Sequence, residues 1–305
     1  MPSTWRIHSL LVLASIFFAA GPVHAEAGQW GQSKVRYASR SMILDRGTLR
    51  VDLGPQDFAM LNSGLINNGR GLRIFDAGDD VGLYHGAGAS VGILDNLEAG
   101  ALLFPLLFAP EFEFGAIEGY ARYRLLRKAR VEVGVQAGLQ LGTGNYGYGA
   151  GRLAGGVAGS IIRGAEVDFA TSGGIVVLLR PSPMVRIDTG AELELYVWDR
   201  FPLSRHGSEL HANLDLPFAV NVNVTENLFF GGKFGMLFPT QDLDYFSIGL
   251  GIQGGYTLAE GVADITGWLT WDQLFTPGVP DGVDSVHGDG WQIGAGANLY
   301  VGIFD

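Results

Sequence analysis

Several segments of the chain carry ionisable or amide side chains at every second position, which places them on one face of an extended strand. In residues 111–126, for example, these positions include Arg122 and Arg124. The full set of candidate pore-lining residues is Glu118, Arg122, Arg124, Glu132, Gln136, Arg186, Asp188, Glu192, Glu194, Asp215, Lys233 and Asp264. Basic groups near Arg122 that face acidic groups near Glu192 would create a transverse field that orients polar solutes and selects ions. The alternative is a set of ion pairs that only fills the interior, because buried charges are normally paired.

Other groups that could do chemistry are few. The chain has no cysteine, which excludes disulfides and thiolate metal sites. The stretch "SRHGSELH" places Ser208 near His206 and His211, but it offers no third group to orient a base. The acidic loop 281–290 does not have the ligand spacing of an EF-hand, and the glycine-rich stretch 142–156 lacks the Lys-Ser/Thr of a phosphate-binding loop. We therefore predict no cofactor and no metal, and we do not expect an enzyme.

The composition limits the class of protein and its partners. Only 17% of the 305 residues are charged, against about 25% in an ordinary soluble protein. The formal net charge of −11 argues against nucleic acid as a partner, because few basic groups are present to neutralise phosphates. At the N-terminus, Arg6, an apolar run over 10–21 and a small-residue site ending at Ala25 predict a secretory signal peptide, residues 1–25.

The alternation of apolar and polar residues predicts long antiparallel strands joined in pairs. "VEVGVQAGLQLG" (131–142) has valine, alanine and leucine on one face and glutamate, glutamine and glycine on the other. Short turns join five pairs of such segments: 81–94 with 97–108, 111–126 with 131–142, 165–179 with 184–198, 209–224 with 228–238, and 245–258 with 262–275. A leading strand near 47–53 and a final strand over 291–304 bring the expected number to twelve.

The same alternation would suit a soluble sandwich with its apolar face inward or a membrane barrel with its apolar face outward. Three features favour the membrane: the strands are long, charged residues are scarce, and aromatic residues cluster toward the strand ends. The aromatic residues expected at the two membrane interfaces are Tyr196, Trp198, Phe229, Phe230, Trp268, Trp271 and Trp291. Valine and leucine are then expected to face lipid, and the charged set is expected to face the interior.

The signal peptide, the two-residue repeat, the short turns that alternate with long loops and the last strand "NLYVGIFD" together resemble a Gram-negative outer-membrane β-barrel over residues 47–305. The resemblance implies an all-β, up-and-down transmembrane barrel of about twelve strands in the bacterial outer membrane. It also implies lipid, lipopolysaccharide and the barrel-assembly machinery as partners, and a monomer. The sequence departs from this class at its end, where Asp305 follows Phe304 and Phe304 shares the inward parity of Tyr300.

A barrel of this size is expected to be a passive channel or transporter for small hydrophilic solutes. A non-conducting structural or adhesion barrel whose outer loops bind a partner is one alternative, and an outer-membrane lipid hydrolase is another. Residues 26–46 are expected to be a periplasmic segment before the barrel, and the sequence leaves open whether they form a tail or a short plug.

Overall fold

The protein is described by a computed structural model over residues 36–53, 71–76, 81–107, 114–142, 167–198, 210–239, 246–258, 261–275 and 291–303. The predicted signal peptide, the long connections and Phe304 lie outside these ranges. The strands are β1 (Thr48–Asp52), β2 (Gly71–Asp76), β3 (Val81–Leu94), β4 (Leu97–Leu107), β5 (Phe114–Lys128), β6 (Val131–Gly142), β7 (Val167–Ser182), β8 (Val185–Trp198), β9 (Leu210–Asn223), β10 (Leu228–Pro239), β11 (Ser247–Leu258), β12 (Ala263–Phe275) and β13 (Trp291–Gly302). No helix within the described ranges is long and apolar enough to cross a membrane.

Consecutive strands from β2 to β13 pair antiparallel, and the sheet closes on itself. Both β1 and β2 pair with β3 on one side and with β13 on the other, so these two strands share a single position in the wall. The barrel therefore has twelve strand positions, which confirms the predicted number and fold class.

The first strand position is divided, which the sequence analysis did not predict. β1 has only five residues and spans about 17 Å, whereas a tilted strand needs about 9–11 residues to cross a bilayer. The second part, β2, completes the position further along β3, because Leu49 pairs with Val91 whereas Asp76 pairs with Val81.

Side chains at alternate positions of a strand face opposite sides of the barrel wall, as the alternation predicted. In β6, Val135 and Leu139 are exposed on the outer surface, whereas Glu132 and Gln136 are buried in the interior. The same division holds in β7, where Ile175 is 56% exposed and its neighbour Val176 is fully buried. A wall with apolar side chains outward and polar side chains inward is the arrangement of a transmembrane barrel.

Two aromatic residues differ from the prediction. Phe229 and Trp268 are buried in the interior, so they do not belong to an interfacial girdle, whereas Phe230 is 52% exposed on the outer surface. The reason is parity, because Phe229 shares the face of Lys233 in β10, and Trp268 shares the face of Asp264 in β12.

Candidate functional site: the barrel interior and its N-terminal plug

The segment before β1 occupies the interior of the barrel at the end where the short turns lie. We call residues 36–46 the plug; its buried members are Tyr37, Ala38, Arg40, Met42, Ile43 and Leu44. Gly47, at a φ of 78°, turns the chain from the plug into β1, a conformation that glycine adopts without strain. The backbone N of Gly47 donates to the carbonyl of Gly92 at 2.8 Å, which ties this turn to β3. The sequence left open whether residues 26–46 form a tail or a short plug. The described part, residues 36–46, packs against the inner wall.

Arg40 makes the most extensive set of contacts between the plug and the wall. Its guanidinium donates to both carboxylate oxygens of Asp264 on β12, and to the hydroxyl of Tyr300 at 2.9 Å. The hydroxyl of Thr257 accepts a further bond at 3.3 Å. Arg40 and Asp264 are both almost fully buried, so this ion pair is shielded from water. The carbonyl of Arg40 accepts hydrogen bonds from Arg180 and, at 3.5 Å, from Arg186.

Glu132 on β6 is a second attachment point. Its carboxylate accepts hydrogen bonds from the Ser41 hydroxyl at 2.7 Å and from the Met42 backbone N at 3.1 Å. Arg180 at 2.8 Å and Arg124 at 3.5 Å supply the opposite charge. Glu132 therefore binds the plug and two wall arginines at once.

Glu98 on β4 repeats this pattern at the end of the plug that leads into β1. Its carboxylate accepts from the Leu44 backbone N at 2.8 Å and from the Tyr120 hydroxyl at 3.0 Å. Arg50 lies 3.4 Å and Arg122 lies 3.8 Å from the same carboxylate. Both acidic side chains thus serve as acceptors for plug backbone groups that would otherwise be buried without a partner.

The remaining contacts combine aromatic packing with hydrogen bonds. The Tyr37 ring stacks on Phe229 with centroids 4.3 Å apart, and the guanidinium of Arg186 lies 5.2 Å from the centroid of the Tyr37 ring. The backbone N of Ala38 donates to Oδ1 of Asn223 at 2.8 Å. A small apolar cluster joins plug residues Met42 and Ile43 to β7 residues Val176 and Leu178.

Ten of the twelve candidate pore-lining residues have described side chains, and all ten are buried in the interior. The side chains of Glu118 and Glu194 lie outside the described part of the structure. Arg122, Arg124, Glu132 and Asp264 hydrogen-bond or pair directly with the plug or with residues that bind it, and Gln136 accepts from Arg122 at 3.2 Å. Arg186 pairs with Asp188 and also contacts the plug, through the Tyr37 ring and the carbonyl of Arg40. The others lie elsewhere on the wall, where Glu192 is opposite Asp215 and Lys233 is on β10.

The local geometry differs from simple hairpin counting, which places Arg124 beside Glu132. A bulge after Arg124 sets it opposite Gly134 and sets Glu132 opposite Arg127. The long side chains still meet, and Arg124 lies 3.5 Å from Glu132.

The sequence analysis missed residues that contribute as much as those it selected, namely Arg40, Arg50, Asp52, Glu98 and Arg180. Among described side chains, the largely buried charges number seven basic (Arg40, Arg50, Arg122, Arg124, Arg180, Arg186, Lys233) and seven acidic (Asp52, Glu98, Glu132, Asp188, Glu192, Asp215, Asp264). Parity within β4 and β7 identifies Glu98 and Arg180 as inward-facing residues, whereas no pattern identifies Arg40.

No protein-family model matches the chain, and no curated protein matches it. Among solved structures, it is similar to the NanC porin, at 8% sequence identity and a TM-score of 0.52, over 75% of this chain and 98% of that chain. It is also similar to the toluene transporter TodX of Pseudomonas putida, at 10% identity and a TM-score of 0.41, over 91% and 96% of the two chains. The toluene transporter TbuX of Ralstonia pickettii matches at 9% identity and a TM-score of 0.40, over 88% and 92%. At such identities the likeness is one of fold, and the fold of this chain is that of the outer-membrane β-barrels.

Proposed function

We propose that this protein is a gated passage in the bacterial outer membrane for small hydrophilic solutes, closed by the plug at the end with short turns. The observation that carries the proposal is the attachment of the plug. It is held mainly by hydrogen bonds and ion pairs to the polar inner wall, and water can replace these when the plug leaves.

The size of the barrel supports this function. Side chains fill the interior of an eight-stranded barrel, whereas sixteen or more strands leave an aqueous channel. With twelve positions, this barrel has a separate chain segment in its interior in addition to inward side chains. The fold is shared with a porin, NanC, at a TM-score of 0.52.

The location of the plug suggests how the passage opens. In outer-membrane barrels short turns lie on the periplasmic side. The plug is joined covalently to the wall through Gly47, and Arg36 at its other described end makes an exposed ion pair with Glu226 at 2.7 Å. Release of the contacts between these ends would let the segment move toward the periplasm while β1 stays paired.

A disulfide across the plug and the wall tests the proposal. The chain has no cysteine, so Ala38→Cys with Asn223→Cys introduces the only thiols. The 2.8 Å hydrogen bond from Ala38 N to Asn223 Oδ1 brings the two positions within reach of a disulfide or of a short bis-methanethiosulfonate cross-linker, whose links a reductant cleaves. Because Gly47 already holds the other end, the cross-link would keep the plug inside. The measurement is ion current through the refolded protein in a planar bilayer, before and after reduction.

We expect little current in the oxidised protein and reversible openings after reduction, with each single-cysteine variant indifferent to the reductant. Equal current in both states would show that ions pass without movement of the plug. Absence of current in the reduced protein, in the single variants and in the unmodified chain would refute the passage and favour a structural barrel.

A further inference from the structure

Four polar side chains on adjacent strands form a continuous area of the inner wall, which we call the amide patch. They are Asn221 on β9, Lys233 on β10, Gln253 on β11 and Thr266 on β12, and all four are at least nine-tenths buried. The strands are in register here, because Gly231 of β10 lies opposite Asn221 on one side and opposite Gln253 on the other. None of these groups contributes to the plug contacts described above.

The amide patch contains hydrogen-bonding atoms that have no partner among the described residues. Gln253 Nε2 donates to Asn221 Oδ1 at 2.6 Å, which fixes both amides. This leaves Asn221 Nδ2 as a donor, Gln253 Oε1 as an acceptor and the Thr266 hydroxyl, each buried without a hydrogen bond to the rest of the described chain. Lys233 is buried beside these groups, and the carboxylate of Asp188 on β8, which is already paired with Arg186, attracts its ammonium. Buried polar groups are normally paired, so a cluster of unpaired ones indicates that something else completes it.

Small residues surround the lysine on its own strand and on both neighbouring strands. Along β10 the nearest inward neighbours of Lys233 are Gly231 and Gly235, and the residues opposite it are Ala219 and Gly251. At Gly231 a Cβ atom would overlap the Asn221 amide, so this glycine is what allows the amide to lie against the wall.

An aromatic side chain borders the patch. Trp268 lies opposite Gln253 in the register, and its indole packs where a Cβ of Gly294 would be, which holds it against the wall of β13. Trp268 is 8% exposed, so an apolar surface adjoins the unpaired amide. Solute-binding sites commonly combine such an aromatic surface with a few fixed polar groups.

The plug adjoins the patch on the side of the short turns. Asn223, two residues after Asn221 on the same face of β9, accepts the hydrogen bond from Ala38. The ring of Phe229, on which Tyr37 stacks, lies beside Thr266, since a Cβ at Gly255 would touch both side chains. Movement of the plug would therefore uncover the wall next to the amide patch.

We propose that the amide patch is a binding subsite for small hydroxylated carboxylates, such as sugar acids. The Lys233 ammonium binds the carboxylate, the free groups of Asn221, Gln253 and Thr266 bind hydroxyls, and Trp268 covers an apolar ring face. The assignment rests on the proposed function, because passage through the barrel is what brings a solute to this wall.

The experiment uses two probes that differ at a single carbon, D-glucuronate and D-glucose, added to the reduced Ala38→Cys/Asn223→Cys protein at constant ionic strength. The readout is the probe concentration that halves the ion current. Lys233→Gln removes the proposed carboxylate partner, and Lys128→Gln removes the same charge from the exposed end of β5 as the matched control. Titration calorimetry of the same proteins in detergent measures binding independently of current.

We expect glucuronate to act at a concentration roughly tenfold below that of glucose in the parent and in the Lys128 variant, in keeping with a charge-assisted hydrogen bond. In Lys233→Gln this difference disappears, whereas the value for glucose changes less than about twofold. If glucuronate and glucose halve the current of the parent at the same concentration, the role of Lys233 is overturned. If neither probe blocks the current and neither gives binding heat, only water completes the patch and the subsite is refuted. Binding heat in a protein without current would retain the subsite while refuting the passage.

Discussion

The plug carries two arginines that pair with carboxylates, Arg40 with Asp264 in the wall and Arg36 with Glu226 in a short turn, and the two pairs differ in burial. Arg40 and Asp264 are 3% and 1% exposed, whereas Arg36 and Glu226 are 37% and 71% exposed. Removing one member of a buried pair costs about 3–5 kcal/mol because the other charge stays buried, whereas an exposed pair contributes about 0–1 kcal/mol. Thr257 and Tyr300 would still donate to Asp264, at 2.7 and 3.0 Å, so we take the lower value for Arg40→Met. A loss of about 3 kcal/mol in the closed state raises the open fraction roughly 100-fold, against about fivefold at most for Arg36→Gln.

Thiol labelling measures the open fraction directly. Met42 is 1% exposed, so a cysteine in its place reacts with a maleimide only when the plug leaves the wall. If the plug closes faster than the thiol reacts, the labelling rate is proportional to the open population. Arg46→Cys, at an exposed position in the same segment, supplies the unprotected rate. Arg40→Met and Arg36→Gln are each compared on the Met42→Cys background.

Equal acceleration by the two substitutions would refute the reasoning, because it would show that burial of the ion pair does not set the stability of the closed state. A double-mutant cycle gives a further check. In the closed barrel Arg40→Met leaves the carboxylate of Asp264 buried without its opposite charge, and Asp264→Asn removes that carboxylate charge. The free-energy change of the double variant must therefore be smaller than the sum of the changes in the two single variants. Full additivity would mean that the two side chains do not stabilise the closed state as a pair.

Two further outcomes follow from packing and from the lipid-facing surface. Gly92→Ala would place a Cβ against the carbonyl of Asp45. We expect the temperature at which the barrel loses its folded mobility on a gel to fall by about 5 °C. Gly119→Ala, with open space around it, should leave this temperature unchanged. Ile175→Arg places a charge on the outer face in the middle of β7 and should reduce the free energy of unfolding, measured with urea in vesicles, by about 2–4 kcal/mol. Val224→Arg, in a turn, should reduce it by only about 0–1 kcal/mol. Equal reductions would contradict a membrane around β7.

The strand positions and the facing of their side chains followed from the sequence because a two-residue period leaves only two choices of face. Once Val135 is outside, Glu132 and Gln136 must be inside, and the same argument extended along β8 to Arg186 and Asp188. Phe229 was misplaced for the opposite reason. Its position near a strand end was given more weight than its parity with Lys233, although parity alone predicts its inward direction.

The plug could not be predicted in this way. Its sequence, "YASRSMILDR", has no period that assigns a face, and its partners are distant along the chain. Ala38 bonds to Asn223, 185 positions away, and Arg40 bonds to Tyr300, 260 positions away. Contacts of this separation depend on closure of the whole barrel, so no local property of residues 36–46 encodes them. The bulge that shifts Arg124 away from the position opposite Glu132 is a similar case, because it changes register without altering the alternation.

In the proposed gated passage, the two hypotheses for the inner charges, a charged constriction and a set of stabilising ion pairs, would describe two states of one wall. Arg122 with Glu98, Arg124 with Glu132 and Arg186 with Asp188 are pairs within the wall, and they remain when the plug is absent. Asp264 differs, since the ion pair that the structure describes for it comes from Arg40 of the plug. Opening therefore leaves most wall charges compensated and concentrates its electrostatic cost at this one carboxylate. In the proposed gated passage, the Arg40–Asp264 pair therefore carries the largest electrostatic cost of opening, while the ion pairs within the wall are already assembled before the plug moves.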